Sequence, residues 1–218
     1  MMKMLRLPLK SNFKFVIISI LILSIILHIN SYCDILSSNN SVGPKALNNS
    51  KMVVIGDSYA AKFYEFESDK DLDLEPYAKA GSSIIENYEI MNYAILNFKN
   101  HNVLISIGVN DHFKETPPYR FEAYLRQLLN IAKFMNKNVF FHSYMKYFDN
   151  NILKKKYSID SYNNTIIRLC VEFDNAHYID TKDLESIIYI SDDSIHYNEK
   201  FYDILYSRLY NMMYEIGL

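Results

Sequence analysis

The stretch Lys51-Met52-Val53-Val54-Ile55-Gly56-Asp57-Ser58-Tyr59-Ala60-Ala61 decides how the rest of this chain is read. Met52 to Ile55 is a run of apolar residues with no polar alternation. A strand of that kind is buried on both faces, as in a parallel sheet covered by helices. It ends at Gly56, and Ser58 follows in what reads as a strand-to-helix turn. The chain has 5 glycines in 218 residues, so each one carries information. Gly56, Gly81 and Gly108 each sit in a short segment with small polar residues, where backbone must turn sharply or approach a ligand closely.

Outward from this strand the pattern alternates. Pro76-Tyr77-Ala78 reads as a weak second strand before Gly81. Ser83 to Phe98 is helical, with Ile84, Ile85, Tyr88, Met91, Ala94 and Ile95 at three- and four-residue spacing. Val103 to Ile107 is a buried strand ending at Gly108. Phe121 to Asn136 is an amphipathic helix, Val139 to Phe141 a strand, Asp160 to Phe173 a helix and His177 to Asp180 a short strand. Lys200 to Ile216 is the final helix. The expected fold is α/β: a three-layer α/β/α sandwich with a central parallel sheet, of flavodoxin-like type. Ligands of such sheets bind beyond the carboxyl ends of the strands, where strand order reverses. Ser58, Gly81, Asn110 and His196 all fall on that rim.

The net charge of −2 offers no basic patch, so nucleic acid is excluded as a partner. There are 2 cysteines, Cys33 and Cys170, and no CxxC or Cys/His cluster, so no zinc or other metal site is expected. A Cys33–Cys170 disulfide stands as the lesser alternative to a core cysteine at 170. At the N-terminus, Lys3, Arg6, Lys10 and Lys14 precede an apolar run from Phe15 to Ile29. This is a positive region followed by a hydrophobic segment without a good cleavage site or lipobox. It reads as an uncleaved signal anchor over residues 1–33, with a cleaved signal peptide as the alternative. The positive residues would hold the N-terminus in the cytoplasm and place later residues outside. Residues 34–50, rich in Ser and Asn with Gly43-Pro44, read as a linker, and residues 51–218 as the folded domain.

Four segments could carry chemistry. Ser58 is a candidate nucleophile, which needs an adjacent base; a helix-capping serine is the bland alternative. His196 is the candidate base, and Asp193, three residues earlier, would orient it; a surface loop with a capping aspartate is the alternative. The backbone N–H groups of Ser58 and Gly81 and the side-chain amide of Asn110 are candidate oxyanion donors, against a turn glycine and a turn asparagine. Asp111 reads as loop support. His112 reads as a residue lining the cleft and His142 as a buried, hydrogen-bonded one. The Tyr144–Tyr157 stretch, with Lys154-Lys155-Lys156, reads as a substrate flap or a solvated loop.

Gly56-Asp57-Ser58, Gly81, Gly108-Val109-Asn110-Asp111 and Asp193-Ser194-Ile195-His196 together resemble the SGNH (GDSL-like) hydrolases, over roughly residues 51–216. The resemblance implies a Ser58–His196–Asp193 triad, an oxyanion hole of Ser58, Gly81 and Asn110, and no cofactor. Two features depart from the family pattern: the first block, Gly56-Asp57-Ser58-Tyr59-Ala60-Ala61, lacks the later glycine that many members have, and Val109 stands where threonine is common. An exported member of this family points to acylated glycans. The expected activity is a carbohydrate O-acetylesterase working through an acyl-serine. The alternative is a polysaccharide O-acetyltransferase, supplied with acyl groups by an integral-membrane O-acyltransferase partner. A silent glycan-binding protein is the third reading.

Overall fold

The computed structural model describes residues 50–144, 155–184, 186, 189–193 and 195–218. In order they form β1 (Lys51–Gly56), α1 (Ser58–Glu67), β2 (Asp73–Ala78), α2 (Ile84–Asn97), β3 (His101–Ser106), α3 (Val109–Phe113), α4 (Pro118–Phe134), β4 (Val139–His142), α5 (Ile159–Glu172), β5 (Ala176–Ile179) and α6 (Glu199–Glu215). The expected signal anchor, the linker up to residue 49, any pairing of Cys33 and the bulk of the Tyr144–Tyr157 stretch lie outside the described residues. Among the described residues, no helix is long and apolar enough to cross a membrane.

The strands form a five-stranded sheet of order β2-β1-β3-β4-β5. Every neighbouring pair is parallel. Chain order reverses between β1 and β3, which is where the crevice of such a sheet opens. Crossovers are right-handed, so the helix leading from β1 to β2 and those leading toward β5 lie on opposite faces. The helix contacts agree: α1 packs on α6, while α2 packs on α4 and α4 on α5. The architecture is the expected three-layer sandwich. Its centre is Val53, Val54 and Ile55 of β1, Val103, Leu104 and Ile105 of β3 and Val139, Phe140 and Phe141 of β4, all buried. Burying a side chain of this size contributes about 1.5–3 kcal/mol.

Register sets the rim. Gly56 pairs with Ala78 on one side and Ser106 on the other, and His142 pairs with Ile179. At Gly56 glycine is compulsory. Its φ is +145°, and a Cβ there would stand 1.9 Å from the Ser106 carbonyl oxygen. The close approach is used, since the Asp57 N–H donates to that oxygen at 3.1 Å.

Three local readings change. β2 runs over six residues rather than Pro76 to Ala78. It is an edge strand whose Asp73, Glu75 and Pro76 face outward and mask its pattern. Asn110 lies in the short helix α3 and not in a simple turn. The cap of α1 is Asp57, whose carboxylate accepts from the Tyr59 N–H at 2.9 Å; Ser58 is the first helical residue.

Candidate active site

Ser58 leaves the end of β1 at the first position of α1, half-buried. Its Oγ lies 2.8 Å from His196 Nε2, although 138 positions separate the two residues. His196 Nδ1 lies 2.6 Å from Asp193 Oδ2. Asp193 Oδ1 accepts from the backbone N–H groups of Ile195 and His196, both at 2.9 Å, and from the Ser191 hydroxyl at 2.6 Å. Burial alone would raise the Asp193 carboxyl. The bonds from Ser191 and from the backbone and ring of His196 outweigh it and hold the group well below the usual carboxylate range. An ionised carboxylate only accepts, so Nδ1 of His196 carries the proton and Nε2 presents its lone pair to the Ser58 hydroxyl.

The loop holding Asp193 and His196 is closed on itself. The Ser191 N–H donates to the His196 carbonyl at 2.8 Å, and Ile190 and Tyr197 form an antiparallel bridge. The three-residue spacing therefore brings both side chains from one turn, as the sequence suggested.

The donor side is assembled from three loops. Asn110 Nδ2 donates to Asp57 Oδ2 at 2.9 Å, so the amide is held beside the nucleophile turn. An amide has two N–H bonds, and Asp57 takes one. Gly81 is exposed in the β2–α2 turn with φ +68°. Its turn is fixed from both ends: the Lys79 N–H donates to the Gly56 carbonyl at 2.9 Å, and the Ile84 N–H donates to Asp111 Oδ2 at 2.9 Å. Asp111 is thus a loop support, as read. Ser58, His196 and Asp193 are in direct contact, Asn110 touches the motif through Asp57, and Gly81 reaches the same rim through its loop anchors.

Asp57 is a buried neighbour of Ser58 and Asn110 to which the sequence reading gives no role. It is fully buried, and burial raises its carboxyl to about 7 against the lowering bonds from Tyr59 and Asn110. Asp111, also buried, is raised by burial to about 7. His112 does not line an open cleft. It is 1% exposed, and its Nδ1 lies 2.9 Å from the Tyr157 carbonyl oxygen. His142 is buried as expected, and its Nε2 lies 2.9 Å from Ser106 Oγ. This second serine–histidine pair sits at the ends of β3 and β4 with both residues 1% exposed. Burial pushes His142 down to about 4, so it is a neutral partner in the floor of the site, closed to an ester. Tyr144, at the start of the expected flap, is likewise buried and packs under Gly108.

No family model matches the chain, and no curated protein matches it. Solved structures do. An acetyl xylan esterase aligns with TM-score 0.60 at 18% identity, over 74% of this chain and 98% of its own. A lipase/acylhydrolase of Enterococcus faecalis aligns with TM-score 0.61 at 14% identity, over 76% and 96%. A GDSL-like lipase of Bacteroides thetaiotaomicron aligns with TM-score 0.60 at 12% identity, over 86% and 98%. At such identities the likeness concerns the fold. With its parallel sheet of order 2-1-3-4-5, the chain has the α/β fold of the SGNH (GDSL-like) esterases and lipases.

Proposed function

We propose that this protein is a serine-dependent acyl-ester hydrolase acting on O-acetyl groups of an extracytoplasmic glycan. The observation that carries the reading is the unbroken chain of hydrogen bonds from Ser58 Oγ to His196 to Asp193, at 2.8 and 2.6 Å, on the ligand-binding rim. As the Ser58 oxygen attacks the ester carbonyl, its proton passes to His196 Nε2, and Asp193 stabilises the imidazolium. The new oxyanion takes hydrogen bonds from the Ser58 and Gly81 N–H groups and the Asn110 amide. Collapse expels the alcohol, which receives the proton from His196. Water then attacks the acyl-Ser58 by the reverse proton path and releases the carboxylate.

The glycan rests on the N-terminal sequence, whose basic and apolar segments would carry the domain across a membrane and keep it there. An acetyl xylan esterase among the structural relatives is compatible with a small acyl group on a sugar. The same N-terminal segment favours one second reading: a sugar hydroxyl, and not water, resolves the acyl-enzyme, with a membrane acyltransferase as donor. The two differ in how well the site excludes water.

The test is one experiment with two readouts. Protein is incubated with an activated acetyl ester and a mixture of glycan oligosaccharides, and acetate and acetylated sugars are followed by mass spectrometry. Ser58→Ala should lose several orders of magnitude in turnover and all labelling by a fluorophosphonate. Free acetate alone supports the hydrolase; acetylated sugar supports the transferase. Equal turnover by Ser58→Ala would sink both.

A further inference from the structure

Among its described residues the loop carrying Asp193 and His196 is tied together by the Ile190–Tyr197 bridge, and the Asp193 side chain is 47% exposed. Such loops move easily. Yet a serine–histidine hydrogen bond supports attack only while the two groups hold their mutual geometry, and a misplacement of about 1 Å can cost on the order of a hundredfold. The loop must therefore be fixed to α1 by something other than the reacting bond itself.

Tyr59 supplies that fixation. It is the residue directly after Ser58, and its hydroxyl donates to the carbonyl of Ile195, the residue directly before His196. One hydrogen bond thus runs beside the Ser58–His196 bond, displaced by a single residue on each strand of chain. The Tyr59 ring is buried, with its centroid 5.2 Å from that of His196 and 5.3 Å from that of Tyr197. Tyr197 in turn stacks on Phe201 of α6 at 3.7 Å. Tyr144 closes the other side, edge-on to Tyr59 at 6.0 Å. The phenol is therefore rigid, and its rigidity is passed to the loop through an oxygen adjacent to the base.

We infer that Tyr59 is a positioning residue for the acyl-transfer chemistry: its phenol holds the His196 loop in register with Ser58. The inference rests on the proposed role of Ser58. It assigns Tyr59 no contact with substrate, so its removal should change the rate of the chemical step and leave binding alone.

The test is Tyr59→Phe in the full chain, which keeps the packed ring and removes the hydroxyl. For an activated acetyl ester, kcat should fall roughly tenfold to a hundredfold with KM little changed, and fluorophosphonate labelling of Ser58 should slow in the same ratio. The melting temperature should stay within a few degrees. Proton NMR supplies a readout independent of turnover: the low-field Nδ1–H resonance of His196 should broaden or disappear in the variant. Wild-type kcat with an unchanged resonance would overturn the inference. So would a loss of kcat matched by a rise in KM and a large fall in melting temperature, which would mark a purely structural role. Tyr59→Leu, lacking ring and hydroxyl, is expected to lose stability as well as rate. If wild type and Ser58→Ala turn over alike, the esterase reading fails, and the imidazole resonance still decides the role of Tyr59.

Discussion

Asn110 illustrates what a single side chain does here and how much of it could be read in advance. Its amide is gripped by Asp57 at 2.9 Å, which leaves the second N–H to be aimed. Under the proposed mechanism that N–H meets the oxyanion. Asn110→Ala should then lower kcat by about 10²–10³-fold, with KM changing far less, because the bond strengthens only as charge develops. Steady-state kinetics on an acetyl ester checks this, and a change confined to KM would refute it. Ser58, Gly81, Asn110, Asp193 and His196 can be named as candidates from the sequence because each is a reactive or turn-forming type beside a strand end or ahead of the last helix. Asp57 and Tyr59 cannot. Their partners, Asn110 and Ile195, lie 53 and 136 positions away. Nothing in local spacing announces such a contact, and a tyrosine beside a serine reads as core. His112 was misread for the same reason, since only the fold brings Tyr157 over it.

At the scale of elements, legibility followed burial. β1, β3 and β4 are buried on both faces and read as apolar runs. β2 lies at the sheet edge and was shortened in the reading, while α3 has only five residues and cannot show a helical period. The glycines that end these elements separate two kinds of constraint. Gly56→Ala would put a Cβ 1.9 Å from the Ser106 carbonyl oxygen, at a φ of +145°. Backbone lies on both sides of that clash, so β1 and β3 must part. The variant should be lost as soluble protein or be destabilised by more than about 4 kcal/mol. Gly81→Ala meets nothing within 4 Å and bears only the strain of φ +68°. Its cost should be about 1–2 kcal/mol, and its N–H remains in place, so most activity should survive. Thermal melts and turnover of both variants test the contrast; similar behaviour of the two would refute it.

At the scale of the sheet these constraints meet along one rim, which also buries two carboxyls. The strand order places the reversal at β1 and β3, and the site is built from the loops that leave those two strands, the turn after β2 and the loop before α6. Concentrating polar groups there leaves Asp57 and Asp111 buried within one cluster, both raised by burial to about 7. A carboxyl raised in the folded state stabilises when protonated. That stability is fully present below the unfolded value near 3.8 and is lost as pH rises through about 7. His142 acts oppositely: lowered to about 4 by burial, it costs stability as pH falls from its ordinary 6.5 toward 4. The lowered carboxylates Glu86 and Glu122 lie near the surface, so their loss at low pH is screened and small. Above pH 6.5 the two carboxyls outweigh His142 and also Lys137, whose ammonium is lowered by burial to about 8 and which opposes them near the top of the interval, so the melting temperature should climb by a few degrees as pH is lowered from 8 toward 6.5. Below that, His142 opposes the carboxyls and the climb should flatten. Asp57→Asn keeps the acceptor for the Tyr59 N–H but gives up the one for the Asn110 amide, and Asp111→Asn keeps the one for the Ile84 N–H; each removes a titrating carboxyl. Each should flatten the slope between pH 6.5 and 8, and the double variant should nearly abolish it. A wild-type melting temperature that rises with pH across this interval would show that the buried carboxyls do not set the balance.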